Sequence, residues 1–135
     1  LATHLRQGFY RVDVVFAGDD PARLPRDAAQ AYAKWCAVDG RLLQAIPAGA
    51  RYDLVVDGLF GIGLARPVDG RAAALIDAAN ALPGLKLALD IASGIHGATG
   101  AALGTPFRAT HTLTFIAGKP GLHTGAGLDA CGEVR

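Results

Sequence analysis

Three charged side chains of this 135-residue sequence lie where an apolar segment ends. Asp57 ends YDLVVD, Asp90 ends LKLALD, and Lys119 follows HTLTFIAG. If these segments are parallel strands, their carboxyl ends meet at one edge of a sheet, which is where open α/β sheets bind ligands. Two carboxylates and an ammonium group at that edge can move protons or bind a charged ligand. The pattern therefore predicts a polar site there.

A glycine-rich loop follows the first of these segments, in DGLFGIGLARP (residues 57–67). The spacing is not the dinucleotide-binding fingerprint, because Arg66 occupies the third glycine position. Gly58, Gly61 and Gly63 fit a tight turn that needs positive φ angles. They fit equally a cradle in which backbone N–H groups and the Arg66 guanidinium bind a phosphate. The residues alone leave both interpretations open.

The segment LALDIASGIHGATG (residues 87–100) places Asp90, Ser93 and His96 close together, as a hydrolytic triad requires. A nucleophile elbow needs glycine two residues before the serine, and Ile91 stands there, which disfavours a serine hydrolase. An aspartate and a serine hydroxyl at a strand end can instead supply oxygen ligands to a cation or bind ribose hydroxyls. Alternatively, Ser93 has only a structural role and caps a turn.

Lys119 lies in a second glycine-rich loop, residues 115–127, and has two interpretations. It is either a solvated surface charge, the usual state of lysine, or a proton donor or phosphate contact that faces the two carboxylates. The other notable side chains are assigned to structural or surface positions. His4, His111 and His123 have no catalytic or metal-binding partners at a suitable spacing, Tyr32 and Trp35 are expected to pack on a helix, and Cys36 is expected in the core.

The elements that position these residues alternate along the chain. β-Branched and apolar runs predict strands at 10–17, 41–46, 52–60, 85–91 and 111–117. Helical spacing of alanine and apolar residues predicts helices at 26–38 and 71–82. This alternation favours an α/β fold with a parallel sheet covered by helices, in a single domain over residues 1–135.

Composition limits the classes of function. The chain is 51% hydrophobic and 19% charged, which is typical of a globular protein, and its net charge of +1 gives no reason to expect nucleic acid or a membrane surface as partner. No apolar run approaches the ~18 residues of a membrane span. The two cysteines have no metal-ligand spacing, so a cytoplasmic location is expected. The first residues, LATHLRQ, and the last, CGEVR, read as interrupted elements, so we expect an internal piece of a longer protein.

Three longer segments, DLVVDGLFGIGLARPVDG, LALDIASGIHGATGAALG and THTLTFIAGKPGLHTGAG, followed by DACGEVR, resemble in order and spacing the YjeF N-terminal domain family of NAD(P)H-hydrate epimerases. The resemblance covers essentially the whole chain. It implies a Rossmann-like three-layer α/β/α sandwich and interconversion of the R and S epimers of hydrated NADH and NADPH (NADHX and NADPHX), with a bound potassium ion (K⁺). In bacteria such a domain is commonly fused to an ADP- or ATP-dependent dehydratase, so a dehydratase domain is expected to follow, and a homodimer is compatible with the family.

The resemblance also implies roles for individual residues. Asp57 and Ser93 match K⁺ ligands, Asp90 matches the substrate-binding acid of the family's LDIPSG motif, and Lys119 falls on a lysine connected with the chemistry. Either Asp90 carries the proton, or Lys119 carries it while Asp90 positions the substrate; both assignments stay open. The implied loop for the substrate phosphate consists of Gly61, Ile62, Gly63, Leu64, Ala65, Arg66 and Pro67.

Three departures from the family pattern are visible. Ala92 stands where proline is usual, and His96 stands where an acid is common. The third departure is the family's Asn-Asn-Gly-Gly-Asp loop, which the resemblance implies as a phosphate-binding loop with a further K⁺ ligand; it is missing from these residues and is expected upstream of Leu1. A second functional hypothesis is a non-catalytic nucleotide-binding or protein-interaction module of the same fold, since the resemblance extends to scaffold proteins of the family.

Overall fold

The computed structural model of the protein describes residues 1–18 and 20–135. The chain divides into two compact units, Leu1–Pro47 and Ala48–Arg135. The single domain over residues 1–135 stays a prediction.

The first unit is organised around Trp35. It contains helix α1 (Ala2–Gln7), strand β1 (Val14–Val15), a 3-10 turn at Pro21–Arg23, helix α2 (Arg26–Cys36) and strand β2 (Leu42–Leu43). β1 and β2 pair in parallel, with Val14 opposite Leu42.

Trp35 is buried, and its indole N–H donates to the carbonyl of Arg41 at 3.1 Å. Gly40 lies so close to this ring that a Cβ there would overlap it. The guanidinium of Arg6 lies 5.8 Å from the ring centroid, a cation–π distance. The packing role predicted for Trp35 is confirmed, but the core position predicted for Cys36 is wrong, because Cys36 lies on the exposed face of α2.

The second unit contains a four-stranded parallel sheet. Its elements are β3 (Leu54–Asp57), α3 (Gly70–Ala81), β4 (Leu85–Leu89), β5 (His111–Leu113), a 3-10 turn at Pro120–Leu122, α4 (Gly127–Ala130) and β6 (Glu133–Val134). The strand order is β3-β4-β5-β6, and every neighbouring pair is parallel. Parallel strands with a helix between β1 and β2, between β3 and β4, and between β5 and β6 confirm the α/β class, and the fold is Rossmann-like.

The strands are shorter than the apolar runs predicted. The predictions 10–17, 41–46, 52–60, 85–91 and 111–117 correspond to strands at Val14–Val15, Leu42–Leu43, Leu54–Asp57, Leu85–Leu89 and His111–Leu113. Apolar residues beyond these limits, such as Ile91, are buried by loop packing rather than by strand pairing. Burial and β structure give the same sequence signal, so the pattern overestimates strand length.

The core of the second unit lies against the loops that carry the site. Ile76 of α3, Ala88 of β4 and Phe107 of a loop are buried together with Ile91, Ala92 and Ile95, which follow β4. The segment 91–95 is therefore fixed by its surroundings. None of the described helices has the length and apolar character of a membrane span.

Candidate functional site

The carboxyl ends of β3, β4 and β5 meet at one edge of the second sheet, as predicted. Asp57 is the last residue of β3 and pairs with Ala88 of β4; Asp90 directly follows β4, and Thr114 directly follows β5. Lys119 lies further along the loop after β5, and its Nζ donates to a carboxylate oxygen of Asp90. The tertiary structure thus brings together two pairs of side chains, Asp57 with Ser93 and Asp90 with Lys119.

Ser93 is bound to Asp57 through both its side chain and its backbone. The Ser93 hydroxyl donates to Oδ1 of Asp57 at 2.6 Å, and the Ser93 N–H donates to Oδ2 at 2.8 Å. The Leu59 N–H donates to Oδ1 at 3.2 Å, and the Phe60 N–H donates to the Ser93 hydroxyl at 3.0 Å. Ser93 is therefore more than a local turn cap, because it joins the loop after β4 to the loop after β3.

Asp57 is a buried acid, with 5% of its surface exposed. Burial raises the pKa of its carboxyl above the ordinary value, although the hydrogen bonds from Ser93 and Leu59 act in the opposite direction. The causes of the shift are burial and hydrogen bonds, with no cationic side chain among them. A buried carboxylate in this state is electrostatically suited to a bound cation.

The atoms around Asp57 that are suited to coordinate a cation are oxygens. They are the Asp57 carboxylate, the Ser93 hydroxyl and the main-chain carbonyl of Phe60, which lies 3.4 Å from the Ser93 oxygen. Carboxylate, hydroxyl and carbonyl oxygens are the ligands that hard cations prefer. The residues present therefore fit an oxygen-coordinated cation such as K⁺. Among residues 1–18 and 20–135 there is no cluster of three His, Cys, Asp or Glu side chains.

Asp90 and Lys119 form the second pair. Asp90 adopts a left-handed conformation with φ of 75°, and its N–H donates to the Leu113 carbonyl at 2.7 Å, which fixes the end of β4 against β5. Lys119 Nζ donates to Asp90, to the Thr114 hydroxyl at 2.7 Å and to the Phe115 carbonyl at 2.8 Å. The Lys119 side chain is 14% exposed and that of Asp90 is 20% exposed. Lys119 is therefore not a solvated surface charge.

The loop after β3 forms an open pocket, and one of its lining residues, Gly61, lies against Asp90. The pocket has a volume of about 500 Å³. A smaller pocket of about 140 Å³ shares Phe60, Leu64 and Arg66 with it and adds Pro67. The large pocket is lined by Leu59, Phe60, Gly61, Gly63, Leu64, Ala65 and Arg66. Six of the seven predicted loop residues thus line a pocket, while the exposed side chain of Ile62 packs beside Gly97.

The glycines of this loop are not required for positive φ angles. None of Gly58, Gly61 and Gly63 has a positive φ angle. The interpretation that these glycines serve a turn with positive φ angles is therefore wrong. Gly61 instead lies against Asp90, where a Cβ would be 3.1 Å from Oδ2 of the carboxylate. At Gly63 a Cβ would meet nothing within 4 Å. Close approach of the loop to Asp90 therefore explains Gly61.

The hydrolytic arrangement of Asp90, Ser93 and His96 is not formed. The Ser93 hydroxyl is bound to Asp57 and Phe60, whereas Nδ1 of His96 contacts the Thr99 hydroxyl at 3.0 Å. The remaining histidines, His4, His111 and His123, are exposed, as expected for surface positions.

Sequence reasoning missed Thr114 as a member of this site. Thr114 directly follows β5 as Asp90 follows β4, so the rule that identified the aspartates would have identified it as well. The carbonyls of Phe60 and Phe115 also face the two pairs, and main-chain groups leave no signal in a sequence.

Fold and site together define a class: a Rossmann-like α/β protein with a polar site at the carboxyl edge of a parallel sheet. Residues 1–121 match the family described as YjeF-related protein N-terminus. The chain belongs to this family.

Several relatives have curated names. Over 136 residues, 98% of this chain, it is 48% identical to the NAD(P)H-hydrate epimerase of Bordetella pertussis, of which the match covers 59%. It is 49% identical over 110 residues, 81% of this chain, to the protein of the same name from Achromobacter xylosoxidans, of which 53% is covered. It is 41% identical over 117 residues, 83% of this chain, to the bifunctional NAD(P)H-hydrate repair enzyme of Leishmania major, of which 21% is covered. The chain thus spans less than two thirds of the length of these relatives.

Proposed function

We propose that this protein is an isomerase that interconverts the R and S epimers of NADHX and NADPHX. The observation that carries the proposal is the contact between Asp90 and Gly61, because it places a carboxylate against a residue that lines the pocket of about 500 Å³. Membership of the family and the names of its epimerase relatives support the choice of substrate.

The loop of residues 61–67 is proposed to bind the phosphates of the substrate. Arg66 lines both pockets, and a guanidinium beside exposed backbone N–H groups is suited to phosphate oxygens. The pocket volume of about 500 Å³ lies within the range of ~300–1,000 Å³ that is usual for small-molecule sites.

Asp90 is proposed to assist inversion at C6 of the hydrated nicotinamide ring. When the C6 hydroxyl loses its proton to a base, an oxygen electron pair forms a C=O bond while the C6–N1 bond breaks, and its electrons go to N1. N1 then adds to the opposite face of the carbonyl and the proton returns to the oxygen, so atoms and charge balance. A carboxylate held within hydrogen-bonding distance of that hydroxyl would accelerate both proton transfers.

Asp57 and Ser93 are proposed to hold K⁺, together with the Phe60 carbonyl. A bound K⁺ would supply positive charge beside the pocket and compensate the buried Asp57 carboxylate. The oxygen character of the donor atoms and the raised pKa of Asp57 support this assignment.

The whole protein is proposed to extend beyond this chain. Bifunctional repair enzymes among the relatives support a dehydratase domain after residue 135 as one arrangement. A homodimer and a cytoplasmic location stay proposals, the first from the family resemblance and the second from cysteine usage.

The test uses the full-length protein and purified S and R hydrates, with interconversion followed by NMR or chromatography in the presence and absence of K⁺. Asp90→Asn removes the proton acceptor but keeps the shape, and we expect it to lower the rate by at least ~100-fold. Asp77→Asn is the matched control, because Asp77 is exposed on α3, outside the site. If the folded wild-type protein binds the hydrate without accelerating its epimerisation, the proposal fails and a nucleotide-binding module is favoured.

A further inference from the structure

We propose that Thr114 is a positioning residue that holds Lys119 as a fixed ammonium donor to Asp90, and that Asp90 rather than Lys119 exchanges the proton with the substrate. The second half of this inference rests on the proposed function. The first half concerns only the described residues and is tested separately.

The three acceptors around Lys119 account for all of its donors. A lysine ammonium carries three N–H groups and no acceptor. Nζ has three oxygen partners: a carboxylate oxygen of Asp90, the Thr114 hydroxyl at 2.7 Å and the Phe115 carbonyl at 2.8 Å. With each N–H donated to one of these oxygens, none remains to protonate a substrate. Lys119 is therefore suited to fix the positions of these three oxygens rather than to donate a proton to the substrate.

The two oxygens of Asp90 have different surroundings. Oδ1 accepts the hydrogen bond from Lys119. Oδ2 lies against Gly61, 3.1 Å from the position of a Cβ there, at the loop that lines the large pocket. The ammonium thus fixes one oxygen, while the other lies against a residue that lines the pocket, and Asp90 is the member of the pair that we assign to the proton exchange.

The loop after β5 is folded so that it presents both acceptors to Lys119. The Thr114 N–H donates to the carbonyl of Arg135 at 2.9 Å, which anchors the start of the loop at the sheet. Ile116 has a φ of 66°, and the Ala117 N–H donates to the Phe115 carbonyl at 2.7 Å. This tight turn returns the chain toward β5, and Lys119 follows it. Thr114 contributes the side-chain acceptor, so it can be changed without altering the main chain.

The activity test compares Thr114→Val with Thr114→Ser and Thr110→Val. Valine keeps the shape of threonine but cannot accept the hydrogen bond, and we expect kcat to fall about 10-fold with KM changed less than about twofold, as for a misplaced catalytic group. Serine restores the hydroxyl and is expected to keep kcat within about twofold of wild type. Thr110 is the matched control, because it precedes β5 and its hydroxyl is bonded to the backbone of Lys86, at 3.0 Å as acceptor and 2.8 Å as donor. Thr110→Val is expected to lower stability and leave kcat unchanged.

A spectroscopic test of the same contact needs no activity. In a ¹H–¹⁵N spectrum of lysine ammonium groups, the signal that is lost in Lys119→Met identifies Lys119, and the other lysines of residues 1–135, Lys34 and Lys86, serve as internal references. Hydrogen bonds to three acceptors slow proton exchange, so we expect a Lys119 ammonium signal in wild type and Thr114→Ser that is lost or strongly shifted in Thr114→Val. A signal that is the same in Thr114→Val would overturn the positioning role.

The assignment of the proton carrier is tested by comparing Lys119→Met with Asp90→Asn. We expect more residual acceleration in Lys119→Met than in Asp90→Asn, and the reverse order would overturn the assignment. If wild type itself shows no epimerisation, the proposed function fails and the proton-carrier assignment fails with it, while the ammonium signal still decides the role of Thr114.

Discussion

At the scale of single residues, two aspartates at the carboxyl ends of adjacent strands have contrasting environments. Asp90 is paired with an ammonium group, whereas Asp57 is buried and receives its hydrogen bonds from Ser93 and Leu59. The same residue type at equivalent strand ends is therefore prepared for different partners. These environments support the roles proposed above, proton exchange with the substrate for Asp90 and cation binding for Asp57.

The pH dependence of Asp57 follows from the direction of its pKa shift. Burial raises its folded-state pKa above the ordinary value of 3.8, so at a pH between the two pKa values the folded state binds more protons than the unfolded state. The contribution of Asp57 to stability is therefore fully present below about 3.8 and is lost as the pH rises through the raised folded-state pKa. Above that pH, the buried charge destabilises the fold unless a cation is bound.

We predict that K⁺ stabilises the protein at neutral pH and that this effect disappears on acidification. At a K⁺ concentration ten times Kd, mass action gives about 1.4 kcal/mol, equivalent to a rise of a few degrees in Tm. The measurement is thermal unfolding in KCl against choline chloride at equal ionic strength, at pH 7.5 and in steps down to pH 4. Ser93→Ala should abolish the difference between the salts and lower stability by about 1–3 kcal/mol. Identical melting curves in the two salts at every pH would contradict the cation site.

At the scale of elements, the site is made by loops that approach one another after parallel strands. Gly61 in the loop after β3 lies against Asp90 in the turn after β4, and Gly97 packs beside Ile62. Only the first contact is tight: a Cβ at position 61 would lie 3.1 Å from Oδ2 of Asp90, whereas a Cβ at position 97 would lie at an ordinary distance of 3.5 Å from Ile62. Glycine at Gly61 is thus a consequence of packing, with no demand on its φ angle.

We predict that Gly61→Ala displaces the Asp90 carboxylate, whereas Gly63→Ala leaves it in place. A Cβ at position 61 would be 3.1 Å from Oδ2 of Asp90, closer than ordinary van der Waals contact, but at position 63 it would meet nothing within 4 Å. The expected result is a changed carboxyl ¹³C resonance of Asp90 and a loss of about 10-fold in epimerisation rate for Gly61→Ala. The same resonance is measured in Gly63→Ala, where it is expected to stay unchanged. An unshifted Asp90 signal in the Gly61 variant would show that the loop yields instead.

At the scale of the whole molecule, burial is distributed unequally between the two units. Among the described residues of Leu1–Pro47, Trp35 is the only buried hydrophobic side chain. The unit Ala48–Arg135 buries Ile76, Ile91, Ile95 and Phe107, and it contains every residue of the candidate site. Local stability is therefore expected to be higher in the second unit.

We predict that amide hydrogen exchange is slower in the second unit than in the first. Helices α2 and α3 form a matched pair, since they have 11 and 12 residues, but α2 buries Trp35 alone while α3 buries Ile76 and Ala79. Exchange should be faster in α2 than in α3, with β4 among the slowest segments, because buried contacts oppose local opening. Equal protection of α2 and α3 under native conditions would contradict this view of the two units.

The sequence by itself determined the alternation of elements and the position of the acids. Long helical patterns located α2 and α3 closely, since a face of small and apolar residues over three turns is distinctive. Asp57 and Asp90 were found from the strand ends alone, because parallel pairing carries equivalent ends to one edge. The YjeF resemblance added the roles of individual residues, which no periodicity contains.

Only the tertiary structure decided how those residues meet. Four features depend on segments that are distant along the chain or on main-chain carbonyls. They are the exposure of Cys36, the shortened strands, the contact between Gly61 and Asp90, and the three acceptors of Lys119. In the sequence, nothing distinguishes Thr114 from an ordinary strand threonine. In the structure, the turn at Ile116 brings Lys119 into contact with it. Residue types restrict which contacts are chemically favourable, but the packing of loops beyond the strand ends selects the ones that form.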